Sequence, residues 1–375
     1  MVGFLGVFCI EGERNIFSDL KTLCGDIGMG CAFVDGRYGI LCHGMKELSE
    51  ELIQPVTGRY NNALYAAAVS TPDSSRTEND AQALLGGYIE EGEEYIHRLD
   101  IRYSLAMYDG RCGELLLAKG FRGDRPLFYT VTDKAVYFST TLRPLMRLFG
   151  GTVRVDEKIL TEYIGGGYSS MPDGLFCDIS PLSAGHILLC SSFGVSDIAM
   201  LPCAYPLEEK HTAVERLPLC ESGHGMRNYL AEALYAFGYP QFDHLMPSLI
   251  SRAKEAAERG EGEIFISDGT FGHNGRYLSY SAERACRIGN LYGVEITPVP
   301  TQVRVGSKRL LKAMEKELDA LLCSYLDMGG IPCVPLLKKE LERLSTEKSM
   351  PLRIRKKGIL CQTAMWLEGY HVVLV

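Results

Sequence analysis

Apolar runs of strand length, separated by charged or turn-forming residues, dominate the first half of the chain. Residues 3–10 are apolar and end at the charged segment 11–14, which is typical of a strand that is buried on both faces. Two further apolar runs, residues 31–34 and 38–43, flank Asp35-Gly36. An Asp-Gly pair between such runs favours a tight turn, so these residues predict a β-hairpin.

The apolar spacing changes from strand-like to helical near Thr77. Residues 63–70 predict another strand, and the turn-forming residues 71–75 end it. In the helix that is predicted next, acidic residues in the first turn suit the positive end of the helix dipole. Its apolar face consists of Ala81, Leu84, Leu85, Tyr88 and Ile89. Because this face requires a sheet to pack on, the first half of the chain predicts a layered α+β sandwich.

Helical patterns dominate the second half of the chain. Pro247 is suited to the first turn of a helix that ends before Gly260. Residues 263–267 form a short apolar run and predict a strand. Three further amphipathic helices are predicted in residues 310–322, 336–344 and 359–367. The second half therefore predicts a smaller, helix-rich α/β domain.

Length and composition are consistent with two globular domains. The chain has 375 residues, of which 46% are hydrophobic and 23% charged, values typical of a soluble globular protein. The segment 205–225, in which charged residues interrupt the apolar pattern, predicts a linker. We therefore expect one domain in residues 1–204 and a second in residues 226–375.

Charge and cysteine content exclude several classes of function. The net charge of −8 argues against binding to a nucleic-acid backbone, because such binding depends on basic surface. No apolar run approaches the roughly 20 residues that a membrane-spanning helix needs, and residues 4–10 are too short for a signal peptide. The 13 cysteines include no Cys-x-x-Cys pair, so neither a zinc site nor a disulfide framework is indicated. We expect a cytoplasmic protein without membrane or nucleic-acid partners.

Four segments between residues 103 and 189 together resemble a known domain. They read Ser-Leu-Ala-Met-Tyr-Asp at 104–109, Glu-Leu-Leu-Leu-Ala-Lys-Gly-Phe-Arg-Gly-Asp-Arg-Pro-Leu-Phe-Tyr at 114–129, Val-Tyr-Phe-Ser-Thr-Thr-Leu-Arg-Pro-Leu at 136–145, and Pro-Asp-Gly-Leu-Phe-Cys-Asp-Ile-Ser-Pro-Leu-Ser-Ala-Gly-His-Ile-Leu-Leu at 172–189. This succession resembles the second half of the glutaminase domain in glutamine-hydrolysing asparagine synthetases. The resemblance implies an N-terminal αββα Ntn-hydrolase-like sandwich, followed by a remnant of an ATP-pyrophosphatase-type synthetase domain.

The resemblance also implies that the glutaminase nucleophile has been lost. The family uses a cysteine at position 2 as nucleophile, and this chain begins Met1-Val2-Gly3. Removing the nucleophile from a covalent mechanism costs on the order of 10⁶ in turnover. Cys9 is no substitute, since it lies inside the predicted strand. Met45 stands where the family has the arginine that binds the glutamine carboxylate, and a thioether cannot hold a carboxylate.

Three charged residues match ligand-binding positions of the family. Asp80 matches an aspartate that contacts the amino group of glutamine, although it could also act only as a helix cap. Lys357 matches a phosphate-contacting lysine, with a solvated surface lysine as the alternative. Asp268 is a weak candidate for magnesium, because the other acids of the family's Ser-Gly-Glu-Gly-x-Asp-Glu turn are missing. The ATP loop Ser-Gly-Gly-x-Asp-Ser is also absent, so no metal and no cofactor are expected.

These losses predict a catalytically inactive asparagine synthetase-like protein that acts as a binding, regulatory or complex-forming subunit. Its expected partner is another protein or a second copy of the chain. Two alternatives stay open. The chain could form amides together with a partner chain that supplies the ATP site, or it could be an amino-acid sensor that retains weak glutamine or asparagine binding through Asp80.

Overall fold

The computed structural model describes two compact units. One contains Met1–Gly150 and Asp178–Lys210, and the other contains Gly151–Cys177 and His211–Val375. The residues described are 3–12, 15–25, 32–43, 55–70, 80–99, 103–121, 126–166, 174–200, 215–216, 225–267, 284–285, 287–289, 291–298, 308–327, 334–369 and 372–375.

Both units contain strands and helices. The strands are β1 (Gly3–Cys9), β2 (Ala32–Asp35), β3 (Tyr38–His43), β4 (Val56–Tyr60), β5 (Ala63–Ser70), β6 (Ser104–Asp109), β7 (Glu114–Lys119), β8 (Phe128–Val131), β9 (Ala135–Ser139), β10 (Val153–Val155), β11 (Ser180–Pro181), β12 (His186–Ser191), β13 (Gly194–Ala199), β14 (Glu215–Arg216), β15 (Glu263–Ser267), β16 (Glu295–Pro298) and β17 (Val372–Leu374). The helices are α1 (Ile16–Cys24), α2 (Asp80–Glu91), α3 (Glu93–His97), α4 (Leu142–Arg147), α5 (Glu157–Gly166), α6 (Met226–Phe237), α7 (Met246–Arg259), α8 (Lys308–Asp327), α9 (Val334–Leu344) and α10 (Met350–Gly369).

Two six-stranded antiparallel sheets form the body of the first unit. The first sheet has the strand order β11-β8-β9-β1-β3-β2, and the second has the order β13-β12-β7-β6-β5-β4. β1 pairs with β9 on one side and with β3 on the other, so its backbone groups are satisfied from both directions. This position explains the uninterrupted apolar run at residues 3–10, because a central strand between two layers presents no polar face to water.

Two hydrophobic cores organise the first unit into four layers. The core between the sheets contains Tyr38 of the first sheet, whose ring stacks on Tyr108 of the second at a centroid distance of 4.8 Å. The other core lies between the second sheet and α2, where the predicted apolar face is buried. On the opposite side of the unit, α1 and α4 contact the first sheet. The predicted αββα sandwich, and with it the α+β class, is confirmed.

One hairpin strand of this unit was not predicted from the sequence. β4 pairs with β5 at the edge of the second sheet, and only Val56 of its five residues is buried. An edge strand with one buried side chain has almost no apolar alternation to detect. The turn that joins it to β5 is formed by Asn61 and Asn62, both with positive φ, as the tight turn of a β-hairpin requires.

The segment 151–177 belongs to the second unit, which differs from the predicted boundary at residue 204. Its strand β10 pairs in parallel with the C-terminal strand β17, and the Val375 N–H donates to the Val155 carbonyl at 3.0 Å. The Phe176 ring also packs edge-on against Trp366 at 5.7 Å. These partners lie about two hundred residues away in the chain, so no local pattern indicates them. The predicted linker falls mostly outside the described residues.

Helices pack around a buried polar network in the second unit. The Tyr163 hydroxyl donates to the Pro240 carbonyl at 2.8 Å and also contacts the Gln241 side chain. The Gln241 N–H in turn donates to the Gln362 side chain at 2.7 Å. The helix predicted after Pro247 ends as expected, since Gly260 follows it in the left-handed conformation with φ 72°. Beside these helices, β14, β15 and β16 form a small parallel sheet. Within the described residues, no helix is both long and apolar enough to cross a membrane.

We expect Gly6→Ala to destabilise the first unit strongly. A Cβ at this position in β1 would lie 2.2 Å from the Phe138 ring and 2.6 Å from the Gly39 carbonyl oxygen. Neither atom can withdraw easily, because the ring is fully buried and the oxygen belongs to a paired strand. The expected loss is about 2 kcal/mol or more in the free energy of unfolding, measured with urea.

Gly86→Ala in α2 is the matched control, since nothing lies within 4 Å of its added methyl group. Alanine is favoured over glycine within a helix by up to about 1 kcal/mol, so this variant should be as stable as the parent or more stable. If the two variants are equally stable, the surroundings of Gly6 can accommodate a methyl group.

Candidate functional site

Side-chain hydroxyl groups hold the first residues of β1 in place. The Phe4 N–H donates to Thr140 Oγ1 at 3.1 Å, and the Thr140 N–H donates to the Phe4 carbonyl at 2.9 Å. Directly beside them, the Thr141 N–H donates to Ser139 Oγ at 3.1 Å. Thr140 is buried, so these bonds are shielded from water. They fix the backbone immediately after the position that the resemblance assigns to the nucleophile, Val2, which itself lies outside the described residues.

None of the described cysteines in the first unit has the properties of an activated nucleophile. The thiolate is the reactive form, and a catalytic thiol needs a lowered pKa. Cys9, Cys24 and Cys42 are buried. Desolvation raises the pKa of Cys190 to about 12, and desolvation followed by a hydrogen bond to Glu114 raises the pKa of Cys112 to about 12. These cysteines are therefore protonated at neutral pH or enclosed in the core.

Asp80 is the first residue of α2. The backbone thus places it at the positive end of the helix dipole, where a carboxylate is favoured. Its side chain is outside what the structure describes, as is Thr77, where the helix was predicted to open. The position is compatible with both roles that the sequence left open, a helix cap and a contact to an amino group.

Lys357 lies in an ion-pair network between α8 and α10. Its Nζ is 3.0 Å from Glu315 Oε1 and 2.7 Å from Asp319 Oδ1. Arg353, one helical turn earlier in α10, donates to both oxygens of Glu315 at 2.8 and 3.1 Å. The side chain of Lys357 is only 12% exposed. Two carboxylates of the chain itself therefore balance its charge. A lysine that binds a phosphate group would need this charge to be available.

The network was missed at the sequence level, although a signal for it exists. Glu315 and Asp319 are four residues apart on α8, and Arg353 and Lys357 are four residues apart on α10. Each pair lies on one helix face, so two amphipathic helices packed against each other bring the opposite charges together. The hydrogen bonds of Arg353 and then of Lys357 lower the pKa of Glu315 to about 2.

The candidate magnesium residue, Asp268, lies outside the described residues, as does Met45. The described chain before Asp268 ends in β15, whose last residue is Ser267. Across the part of the chain that the structure describes, no group of three or more His, Cys, Asp or Glu side chains could hold a metal ion.

Sequence comparison identifies a family and a relative that match part of this chain. Residues 56–199 match the model of a glutamine amidotransferase domain family. Asparagine synthetase [glutamine-hydrolyzing] 3 of Bacillus subtilis (strain 168) is 26% identical to this chain over 194 residues, which cover 50% of this chain and 30% of that protein. The chain thus spans less than a third of the length of this curated relative.

Two solved structures show a partial likeness. One is the allosteric regulatory enzyme of purine biosynthesis, with a TM-score of 0.39 and 11% identity over 83% of this chain and 69% of that chain. The other is glutamine phosphoribosylpyrophosphate amidotransferase from B. subtilis complexed with ADP and GMP, with a TM-score of 0.37 and 12% identity over 83% of this chain and 70% of that chain. At these low TM-scores, the fold assignment rests on the sheets themselves.

We expect Thr140→Val to weaken the start of β1. Valine has the same shape but lacks the hydroxyl oxygen, so the buried Phe4 N–H loses its acceptor. An unsatisfied buried donor costs about 1–3 kcal/mol, which urea unfolding would measure. Thr140→Ser retains the oxygen and serves as the control. If both variants lose the same stability, the hydroxyl group is not what holds the strand.

The ion-pair network should contribute stability that depends on pH. Because the pKa of Glu315 is lower in the folded protein than its usual 4.5, its contribution is present above pH 4.5 and is lost as the pH falls toward 2. We expect Glu315→Gln to be less stable than the parent at pH 7, with a difference that narrows on acidification. Urea unfolding at several pH values checks this.

Glu342→Gln is the control. It removes the same charge from the exposed side of α9, and Glu342 forms no ion pair with Arg353 or Lys357. If the difference in unfolding free energy between the parent and Glu315→Gln stays constant from pH 7 to pH 3, the pH-dependent stability does not come from the Glu315 carboxylate.

Proposed function

Because residues 56–199 match a glutamine amidotransferase domain family, we propose that this asparagine synthetase-like chain retains the fold of that domain without its glutaminase activity. On this proposal the chain binds, regulates or completes another protein. Its expected partner is a different protein or a second copy of the chain.

The valine at position 2 is the observation that carries this proposal. The resemblance assigns the nucleophile to this position, and an isopropyl group can neither attack an amide nor leave a tetrahedral intermediate. The hydroxyl groups around Thr140 still hold the adjoining strand. The described cysteines of this unit offer no replacement, since they are buried or have a raised pKa. The supporting backbone is kept while the reactive group is replaced.

The intact core favours a role that needs a folded surface. Both sheets keep buried apolar layers, including the aromatic contacts between Tyr38, Tyr108 and Phe138. The second sheet ends in β13, an edge strand along which Ile198 is 43% exposed, and Phe193 in the adjoining turn is 99% exposed. Exposed strand edges and apolar side chains are features of surfaces that contact other chains.

The two enzymatic and ligand-binding alternatives receive less support. In an amide-forming role the partner chain would supply the ATP site, and Lys357, which matches a phosphate-contacting lysine of the family, is already paired with Glu315 and Asp319 and adds little to such a site. A role as an amino-acid sensor depends on Asp80, and the position of this residue at the start of α2 is compatible with it. Calorimetry with glutamine, asparagine and aspartate separates a sensor from a scaffold, because only a sensor produces binding heats.

Incubation of the pure chain with glutamine tests the proposal directly. We expect ammonia release to equal that of a buffer blank, because no nucleophile is available to form the acyl intermediate. In a parallel reaction with aspartate, ATP and magnesium, pyrophosphate release should also equal the blank. A glutamine-hydrolysing asparagine synthetase at the same concentration is the positive control.

Saturable ammonia release would overturn the proposal, provided that it follows the chain through purification. In that event, replacement of each cysteine by serine identifies the residue responsible. Pyrophosphate release by the pure chain would overturn the proposal as well, whereas ATP consumption that requires a co-purifying partner chain would support the amide-forming alternative.

A further inference from the structure

A cavity of about 740 Å³ lies in the second unit between α5, α9 and the first half of α10. This volume is in the range of small-molecule sites in proteins. Four of its lining residues come from α5, within the segment 56–199 that matches the amidotransferase family, and the other eight lie beyond that segment. Its lining consists of Thr161, Glu162, Ile164, Gly165, Glu340, Arg343, Leu344, Thr346, Glu347, Lys348, Lys356 and Leu360.

Apolar and charged residues contribute to the lining in different ways. Ile164, Leu344 and Leu360 are buried and provide an apolar floor. The charged residues are mostly more exposed and surround this floor. A site with an apolar base and a few charged groups suits a ligand with an apolar body and a charged end.

Two of the lining carboxylates already have partners. Glu340 is 3% exposed and is paired with Arg343. Glu347 accepts a hydrogen bond from the Ser349 N–H at 2.9 Å, just before α10 begins. These contacts reduce the negative potential that the two acids present to the cavity.

The two lining lysines have no such partner. Within the described part of the chain, the Nζ atoms of Lys348 and Lys356 take part in no ion pair or hydrogen bond, and the same holds for the carboxylate of Glu162. The lining therefore offers two available cations and one available acid. This balance favours an anionic group on the lysine side of the cavity.

The adjacent residues Lys356 and Lys357 have different environments. Lys357 pairs with the acids of α8, while Lys356 lines the cavity beside α5 and α9. Successive residues of a helix point about 100° apart, so α10 directs one lysine to each neighbour. The available positive charge is thus at Lys356, one residue away from the position matched by sequence.

We propose that this cavity binds a small organic anion whose apolar body lies on Ile164, Leu344 and Leu360 and whose anionic group is held by Lys348 and Lys356. Glu162 accommodates a hydrogen-bond donor on the same ligand. Carboxylates, sulfonates and phosphate esters share this chemistry.

Fluorescence titration of the full chain with 8-anilinonaphthalene-1-sulfonate tests the proposal, because this probe has an aromatic body, a sulfonate and an N–H donor. We expect saturable binding at one site. Lys356→Gln should weaken it about tenfold, since a charge-assisted contact is lost, and Lys348→Gln/Lys356→Gln should weaken it further. Lys339→Gln, on the exposed side of α9 and outside the lining, is the control and should bind as the parent does.

A second variant separates loss of the site from loss of charge alone. Thr161→Trp places a large ring in the cavity and should abolish saturable binding, while circular dichroism and thermal unfolding confirm that the variant folds. Octanoate and phenyl phosphate should both displace the probe, and inorganic phosphate should not, because it lacks an apolar body.

Binding that Lys356→Gln and Thr161→Trp leave unchanged would place the probe elsewhere and overturn the proposal. Absence of saturable binding, or displacement by inorganic phosphate but not by octanoate or phenyl phosphate, would overturn it as well. If only one of the two amphipathic anions displaces the probe, the proposal holds and the anionic group of the ligand is identified as a carboxylate or a phosphate ester.

Discussion

The burial of β1 in the centre of the first sheet is the constraint on which the first unit depends. β3 and β9 pair with it on either side, and its Phe4 and Phe8 side chains enter the core between the two sheets. Gly6 allows the Phe138 ring and the Gly39 carbonyl oxygen to approach the strand to distances that any side chain would prevent. A single strand thus connects the hydrogen bonding of one sheet with the aromatic packing between both sheets.

The same strand indicates how the scaffold and the chemistry can be separated. The described part of β1 begins at Gly3, which pairs with His43 of β3, and Phe4 and Phe8 enter the core between the sheets. Thr140 bonds to Phe4 at the end of the ladder and supports the fold directly. The contacts that hold the described part of the strand are thus made by backbone groups, aromatic rings and a threonine hydroxyl group, and none of them requires a catalytic thiol.

Sequence patterns predicted those elements whose partners are nearby or whose apolar spacing is regular. The apolar run of β1, the hairpin at Asp35-Gly36 and the buried face of α2 all belong to this group. β4 was missed because it has one buried side chain, and the placement of residues 151–177 was missed because their strand partner is at the other end of the chain. Pairing between distant segments depends on the three-dimensional arrangement of the folded chain, which the local spacing of apolar residues does not indicate.

The candidate charged residues show a similar limit. Lys357 was found through a motif, and a motif gives the position of a residue without giving the charges that surround it. In the folded chain, Glu315 and Asp319 of α8 pair with Lys357, and the exposed positive charge of α10 is instead at Lys356, beside the cavity. An ion pair inside the protein and an ion pair with a ligand compete for the same cation, and the acids of the chain are always present at high effective concentration. The helix face on which a lysine lies therefore decides whether it stabilises the fold or remains available to a ligand.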